Sequence, residues 1–218
     1  MPRNPHEHVV QTINPAKLQP DLLRSSEQIG HLMTEVQRYY LDMGLVFVDT
    51  DPPAGSLENN EWRMGKLAGS GPINEGGSQF TVARCVEANG KLSRLLDGIC
   101  GLVILSKKDA EGNLNPCLGE HTPLELVEFD VRESQRGMGL GKEMLRFALK
   151  AAHPEDKMVL DFVERNDPAR AMYERWGFRY APEDPFTHGI FATTEGQSVH
   201  NIPMESTVGD LQSHLGMR

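Results

Sequence analysis

Apolar residues along this chain recur with two different periods, and the changes of period mark out the predicted elements. Short apolar or alternating runs at residues 8–13, 80–86, 98–105, 124–131 and 158–163 read as strands, because a strand presents every second side chain to the same face. Between 20 and 43, Leu22, Leu23, Ile29, Leu32, Met33, Val36, Tyr39, Tyr40 and Met43 fall at helical spacing; a cap at Ser25 or Ser26 would divide this stretch into two helices. Residues 45–48 are apolar but few, either a strand or a packed connection. A helix is predicted over 139–152, where Leu140, Met144, Leu145, Ala148 and Ala152 share one face, and a shorter one over 168–176. Strand candidates at 190–193 and 199–204 and a helix at 207–215 complete the chain. Strands alternating with helices after 124 predict an α/β fold.

Residues 51–78 follow neither period. Pro52, Pro53, Gly55, Gly65, Gly69, Gly71, Pro72, Gly76 and Gly77 crowd this stretch, with a little helical character only at 58–67. Loops this long inside a compact domain are usually functional or disordered. Turn residues also fill 107–120, which reads as the connection into the strand at 124–131.

Composition narrows the class without naming an activity. At 218 residues, 39% hydrophobic and 24% charged, the chain suits a single α/β domain over 1–218, with an extended tail from about 181. No apolar run approaches the roughly 20 residues needed to cross a bilayer as a helix. The opening MPRNPHEHVV has no apolar signal core, so a cytoplasmic protein is expected. Cys85, Cys100 and Cys117 are odd in number and form no Cys-x-x-Cys pair, which argues against a disulfide framework and a zinc site; no metal is expected. A net charge of −9 disfavours a nucleic-acid surface and is compatible with a cationic substrate.

The segment 131–142 carries the chemistry. A strand ends at Val131, a turn holds Arg136, Gly137, Met138 and Gly139, and a helix starts through Leu140, Gly141 and Lys142. Glycines at a helix N-terminus let unpaired backbone N–H groups approach an anion, and the helix dipole favours negative charge there. This predicts a phosphate-binding turn. It is not a nucleotide-binding P-loop, since Glu143 follows Lys142 where a Ser or Thr is needed, and glycines at 137, 139 and 141 do not fit Gly-x-Gly-x-x-Gly.

Arg136-x-x-Gly139-x-Gly141 instead resembles the [QR]xxGx[GA] signature of the GNAT acetyltransferases. About 30 residues later, Asn166-x-x-Ala169-x-x-x-Tyr173-x-x-x-Gly177-Phe178 resembles that family's second motif at matching spacing. The resemblance covers 124–178 by motif and 80–105 by strand pattern. It implies a central mixed, mostly antiparallel, V-splayed sheet with helices on both faces. It also implies N-acetyl transfer from acetyl-CoA to an amine of a small molecule or protein, by direct attack in a ternary complex. In that resemblance the backbone of Phe129, Asp130 and Val131 pairs with the pantetheine arm, and residues 136–142 receive the pyrophosphate. Asn166 either reaches the pantetheine or caps its helix. Tyr173 protonates the departing sulfur, and Glu125 is the acceptor's base, with Glu128 the next candidate and no carboxylate base a third alternative. The bland readings are a solvent-facing Glu125 and a packing Tyr173.

Two other readings remain open from the sequence: a GNAT-fold module that holds coenzyme A without catalysis, and an unrelated α/β protein whose turn binds another phosphate. The acceptor is not named by any motif. Carboxylates Glu58, Glu61 and Glu75 within 51–78 are expected to meet a cationic acceptor, or else belong to an insertion without contact to it. Oligomeric state is open, a homodimer included, and neither nucleic acid nor membrane is expected as a partner.

Overall fold

The computed structural model describes residues 8–13, 40, 42–47, 78–85, 99–107, 123–181, 191–193 and 195–217. Among them the strands are β1 (His8–Ile13), β2 (Leu45–Phe47), β3 (Ser78–Cys85), β4 (Ile99–Ser106), β5 (Leu124–Val131), β6 (Lys157–Val163), β7 (Arg179–Tyr180), β8 (Phe191–Thr193), β9 (Ser198–Val199) and β10 (Asn201–Thr207). Three helices accompany them: α1 (Leu140–Ala148), α2 (Asp167–Arg175) and α3 (Val208–His214). Seven strands form one sheet in the order β1-β3-β4-β5-β6-β10-β7, and β2-β8-β9 form a small second sheet. Every pairing is antiparallel except β5 with β6.

β4 explains why this sheet has two covered faces. All of its residues from Ile99 to Ser106 are buried, as a central strand with a near-continuous apolar run should be. On one face, Val103 and Leu105 of β4 cluster with Leu140, Met144, Leu145 and Ala148 of α1, and Val208, Leu211 and Leu215 around α3 join the same cluster. Close approach of α1 is set by missing side chains. A Cβ on Gly101 would lie 2.5 Å from the Met144 methyl carbon, and one on Gly141 would lie 2.7 Å from Cζ of Phe129. The opposite face holds a smaller cluster of Leu45, Val163 and Val199, with Tyr40 and Met43 packed against it. Tyr40 and Met43 lie near the end of the region where helical spacing is predicted; most of that region, 20–39, lies outside the described residues, as do 51–77.

Two irregularities in the sheet matter for function. First, β5 is bulged. Ile104 pairs with Glu128 but Leu105 pairs with Leu126, leaving Val127 as an extra residue. Strict alternation would put Glu125 on the face opposite Glu128 and Asp130. The extra residue restores parity, so all three acids share the face away from α1, while Leu124, Leu126, Phe129 and Val131 pack toward it. Second, β5 and β6 pair only at Leu124–Met158 and Glu125–Val159. Beyond these residues the two strands are not laddered to each other, although β5 continues to Val131 and β6 to Val163. The sheet therefore splays between β5 and β6, as expected.

The later chain differs from its sequence pattern in detail. The predicted helix 139–152 ends at Ala148 and tightens into a 3-10 turn over Leu149–Ala151. The strand predicted at 199–204 is two strands, because the chain leaves the small sheet after Val199 and enters the large one at Asn201. β10 lies between β6 and β7, and Ser206 Oγ donates to the Gly177 carbonyl at 3.0 Å.

Candidate active site

The predicted phosphate turn has the backbone that its role requires. After Val131 a short 3-10 turn, Glu133–Gln135, leads into Arg136 and the exposed Gly137, Met138 and Gly139. Gly137 (φ 78°) and Gly139 (φ 83°) are left-handed, a region that non-glycine residues enter at a cost. Gly139 is the N-cap of α1 and supplies no side-chain cap. The first intrahelical bond runs from Glu143 N to Gly139 O at 3.1 Å, so the N–H groups of Leu140, Gly141 and Lys142 precede the ladder. A Cβ on Gly137 or Gly139 would meet nothing within 4 Å, so the turn opens outward. Arg136 Nε donates to the Val131 carbonyl at 3.0 Å, tying the turn to the strand end. Lys142 is exposed in the first turn of the helix. These groups fit an anionic ligand.

From that turn the splay leads inward along the β6-facing edge of β5. Phe129, Asp130 and Val131 lie on this stretch, past the last β5–β6 pair. Asp130 is buried, Glu128 half-buried, and Glu125 buried at the closed end of the gap. Glu125 is paired in register with Ser106, whose hydroxyl accepts from Ser78 Oγ at 3.0 Å, so a buried polar row crosses β3, β4 and β5 there.

Tyr173 is buried on α2, and its ring centroid lies 6.5 Å from Phe129, 6.3 Å from Phe162, 6.1 Å from Trp176 and 5.7 Å from Phe178. Burial pushes its phenol pKa up, and Tyr40, Asp130, Asp161 and Glu128 push it further in the same direction. The phenol is therefore protonated at any ordinary working pH. Asn166 is the N-cap of α2, its Oδ1 accepting from Ala169 N at 3.2 Å. Asp167 is the first helical residue.

Sequence reasoning missed Tyr40. Its hydroxyl is hydrogen-bonded to the Asn166 side chain, and the ring packs with Leu45, Val163 and Val199. Burial, then Asp130 and Glu128, push its phenol pKa up, while the Asn166 bond opposes them. No motif marks Tyr40, since it lies over 100 residues from its partners in the chain. The two phenols make a pH prediction. A tyrosine whose folded pKa is raised stabilises the fold below about pH 10, and that contribution is lost as pH rises further, because the unfolded chain ionises first. The slope reaches about 1.4 kcal/mol per pH unit for each such group. Stability measured by denaturant midpoint is expected to fall steeply above about pH 10, and less steeply in Tyr173→Phe. Equal slopes in the two proteins would remove the assignment.

Among the described residues no group of three or more His, Cys, Asp or Glu could hold a metal ion. No described helix is long and apolar enough to cross a membrane. Buried Cys100 donates to the Ala83 carbonyl at 3.4 Å, behaving as a small core residue.

The splayed sheet thus has at its mouth a helix N-terminus without a side-chain cap, a place that suits an anion. Residues 75–178 match the model of the acetyltransferase (GNAT) family. Among curated proteins none matches the sequence. Solved structures share the fold. A GNAT-family acetyltransferase from Staphylococcus aureus Mu50 superposes with TM-score 0.54 at 15% identity, covering 93% of this chain and 99% of that one. Arabidopsis thaliana NAA60 with a bisubstrate analogue gives 0.51 at 16%, covering 92% and 98%. The ribosomal-protein-S18-alanine N-acetyltransferase of Escherichia coli gives 0.51 at 14%, covering 93% and 94%.

Proposed function

We propose that this protein transfers an acetyl group from acetyl-CoA to a primary amine by direct attack within a ternary complex. The observation that carries this reading is the continuity of the site: the gap between β5 and β6 opens toward the uncapped α1 N-terminus, and the buried Tyr173 packs against Phe129 and Phe162, one from each of the two parted strands. Acetyl-CoA would supply an activated thioester. Backbone N–H groups at 137–142 would hold its pyrophosphate, with Arg136 and Lys142 adding positive charge. The β6-facing edge of β5 at Phe129–Val131, not laddered to β6, suits the amides of the pantetheine arm and can present an N–H to a developing oxyanion.

An alkylamine with a pKa near 10.4 is free base to only roughly one part in a thousand at neutral pH, so a base assists attack. Glu128 and Asp130 lie close enough to raise the Tyr173 phenol, whereas Glu125 sits deeper, at the vertex of the splay. This supports Glu128 as the nearer base and Glu125 as one that acts through water. Tyr173, protonated throughout, donates to the sulfur as it leaves.

The test is acetyl-CoA turnover against a panel of alkylamines, amino acids, N-terminal peptides and lysine peptides, read by free thiol release and mass spectrometry. Acetylated amine with stoichiometric thiol is the expected result. Tight coenzyme A binding without acetylation of any acceptor would leave a non-catalytic binding module instead. Glu128→Gln and Glu125→Gln, assayed on an active acceptor, assign the base. The variant whose kcat/KM loses its rise with pH carries that role.

A further inference from the structure

A β-sheet ordinarily separates what lies on its two faces. Alternation along β6 sends Met158, Leu160 and Phe162 into the α1 cluster and Val163 into the opposite one. Tyr173 belongs with Phe162 on the first face, and Tyr40 packs against Val163 on the second. Yet the Tyr40 phenol helps to raise that of Tyr173, and both phenols are raised by the same three carboxylates, Glu128, Asp130 and Asp161. β5 and β6 part after Glu125 and Val159, so no ladder stands between the two faces beyond that point. Tyr173 stands on one face of the gap and Tyr40 on the other.

The two sides differ in chemistry. The uncapped start of α1 and the aromatic setting of Tyr173 lie on one face, where the donor is anchored. The bulge at Val127 places Glu125, Glu128 and Asp130 on the other, and Tyr40 stands on that acidic side. Asn166 fixes Tyr40 from a rigid point. Its Oδ1 is committed to the α2 cap, which leaves its Nδ2 to donate to the tyrosine oxygen. One amide side chain thus holds both the helix bearing Tyr173 and the phenol facing it.

We propose that Tyr40 is an acceptor-positioning residue, holding a cationic primary amine between its hydroxyl and the Glu128 and Asp130 carboxylates, across the gap from Tyr173. The role rests on the acetyltransferase reading above. A neutral hydroxyl beside two carboxylates offers an alkylammonium three oxygen acceptors, and it admits an uncharged amine once a proton is lost.

Tyr40→Phe keeps the ring against Val163 and removes only the hydroxyl. The acceptor KM is expected to rise about tenfold, the effect of one hydrogen bond to a charged group. Acetyl-CoA affinity by calorimetry should stay unchanged, and the melting temperature should fall only by the few degrees that the lost Asn166 hydrogen bond accounts for. An unchanged acceptor KM overturns the proposal, and so does a joint loss of acetyl-CoA affinity and melting temperature, which is what a purely structural tyrosine would give. A second measurement needs no turnover. In protein carrying ring-labelled tyrosine, the signals of the four tyrosines are assigned with the Phe variants, and acetyl-CoA is added. Tyr173 and Tyr40 should both shift. A shift of Tyr173 alone overturns the proposal while leaving the acetyltransferase reading intact. If both shift but no amine is acetylated, the acetyltransferase reading fails and the acceptor role falls with it, so the two failures are told apart.

Discussion

Gly139→Glu is expected to abolish acetyl-CoA binding in a protein that still folds. The residue caps α1 with φ 83°, so any side chain there costs about 1–2 kcal/mol of backbone strain. Nothing lies within 4 Å of the new Cβ, so no steric clash adds to that cost. A carboxylate at a helix N-terminus also recovers part of the strain through the dipole, about 0.3–1 kcal/mol. Toward a pyrophosphate the same carboxylate is repulsive, by about 4 kcal/mol per charge pair at 4 Å near a protein surface. That corresponds to at least about a hundredfold loss of affinity. Gly139→Ala separates the causes, since it carries the strain without the charge and should bind far better than the Glu variant. Calorimetry showing wild-type affinity in folded Gly139→Glu would remove the donor site from this turn.

Tyr173→Phe should lower kcat about a hundredfold, the typical cost of deleting one hydrogen-bond donor aimed at developing charge. Acetyl-CoA affinity should barely change, because the ring keeps its aromatic neighbours Phe129, Phe162, Trp176 and Phe178. The raised phenol pKa refines the role. A free thiol has a pKa near 8.5, below that of the phenol, so complete proton transfer to a thiolate runs uphill. In the proposed reaction Tyr173 would therefore act as a hydrogen-bond donor to the sulfur as charge builds. Its effect should appear in kcat across the whole pH range, without a new titration in the rate profile. A folded Phe variant with wild-type kcat would leave Tyr173 as a packing residue.

How much of this site is legible in the sequence follows from how local each feature is. The turn at 136–142 and the helix after Asn166 are written in neighbouring residues: glycines where the backbone turns left-handed, an Asn cap, a Pro in the first turn and Gly177 at the end. Helix boundaries depend on backbone groups within one turn, so those residues determine them wherever the rest of the chain goes. The strands at 8–13, 99–106, 124–131 and 157–163 were readable for the same reason, since their apolar runs state what they bury.

The tertiary structure alone decided which face the acids occupy. By sequence parity Glu125 and Glu128 oppose one another, and only the pairing of β5 against β4 reveals the extra residue at Val127. The placement of β10 between β6 and β7, and the short β5–β6 ladder that opens the gap, are likewise properties of partner strands. Tyr40 is the extreme case. Its local signal is an apolar position on a predicted helix, and its partners Asn166 and Tyr173 lie more than a hundred residues away. Local backbone chemistry determined the donor turn and the α2 helix; contacts between residues distant in the chain, which exist only once the sheet has formed, determined the chemistry across the gap.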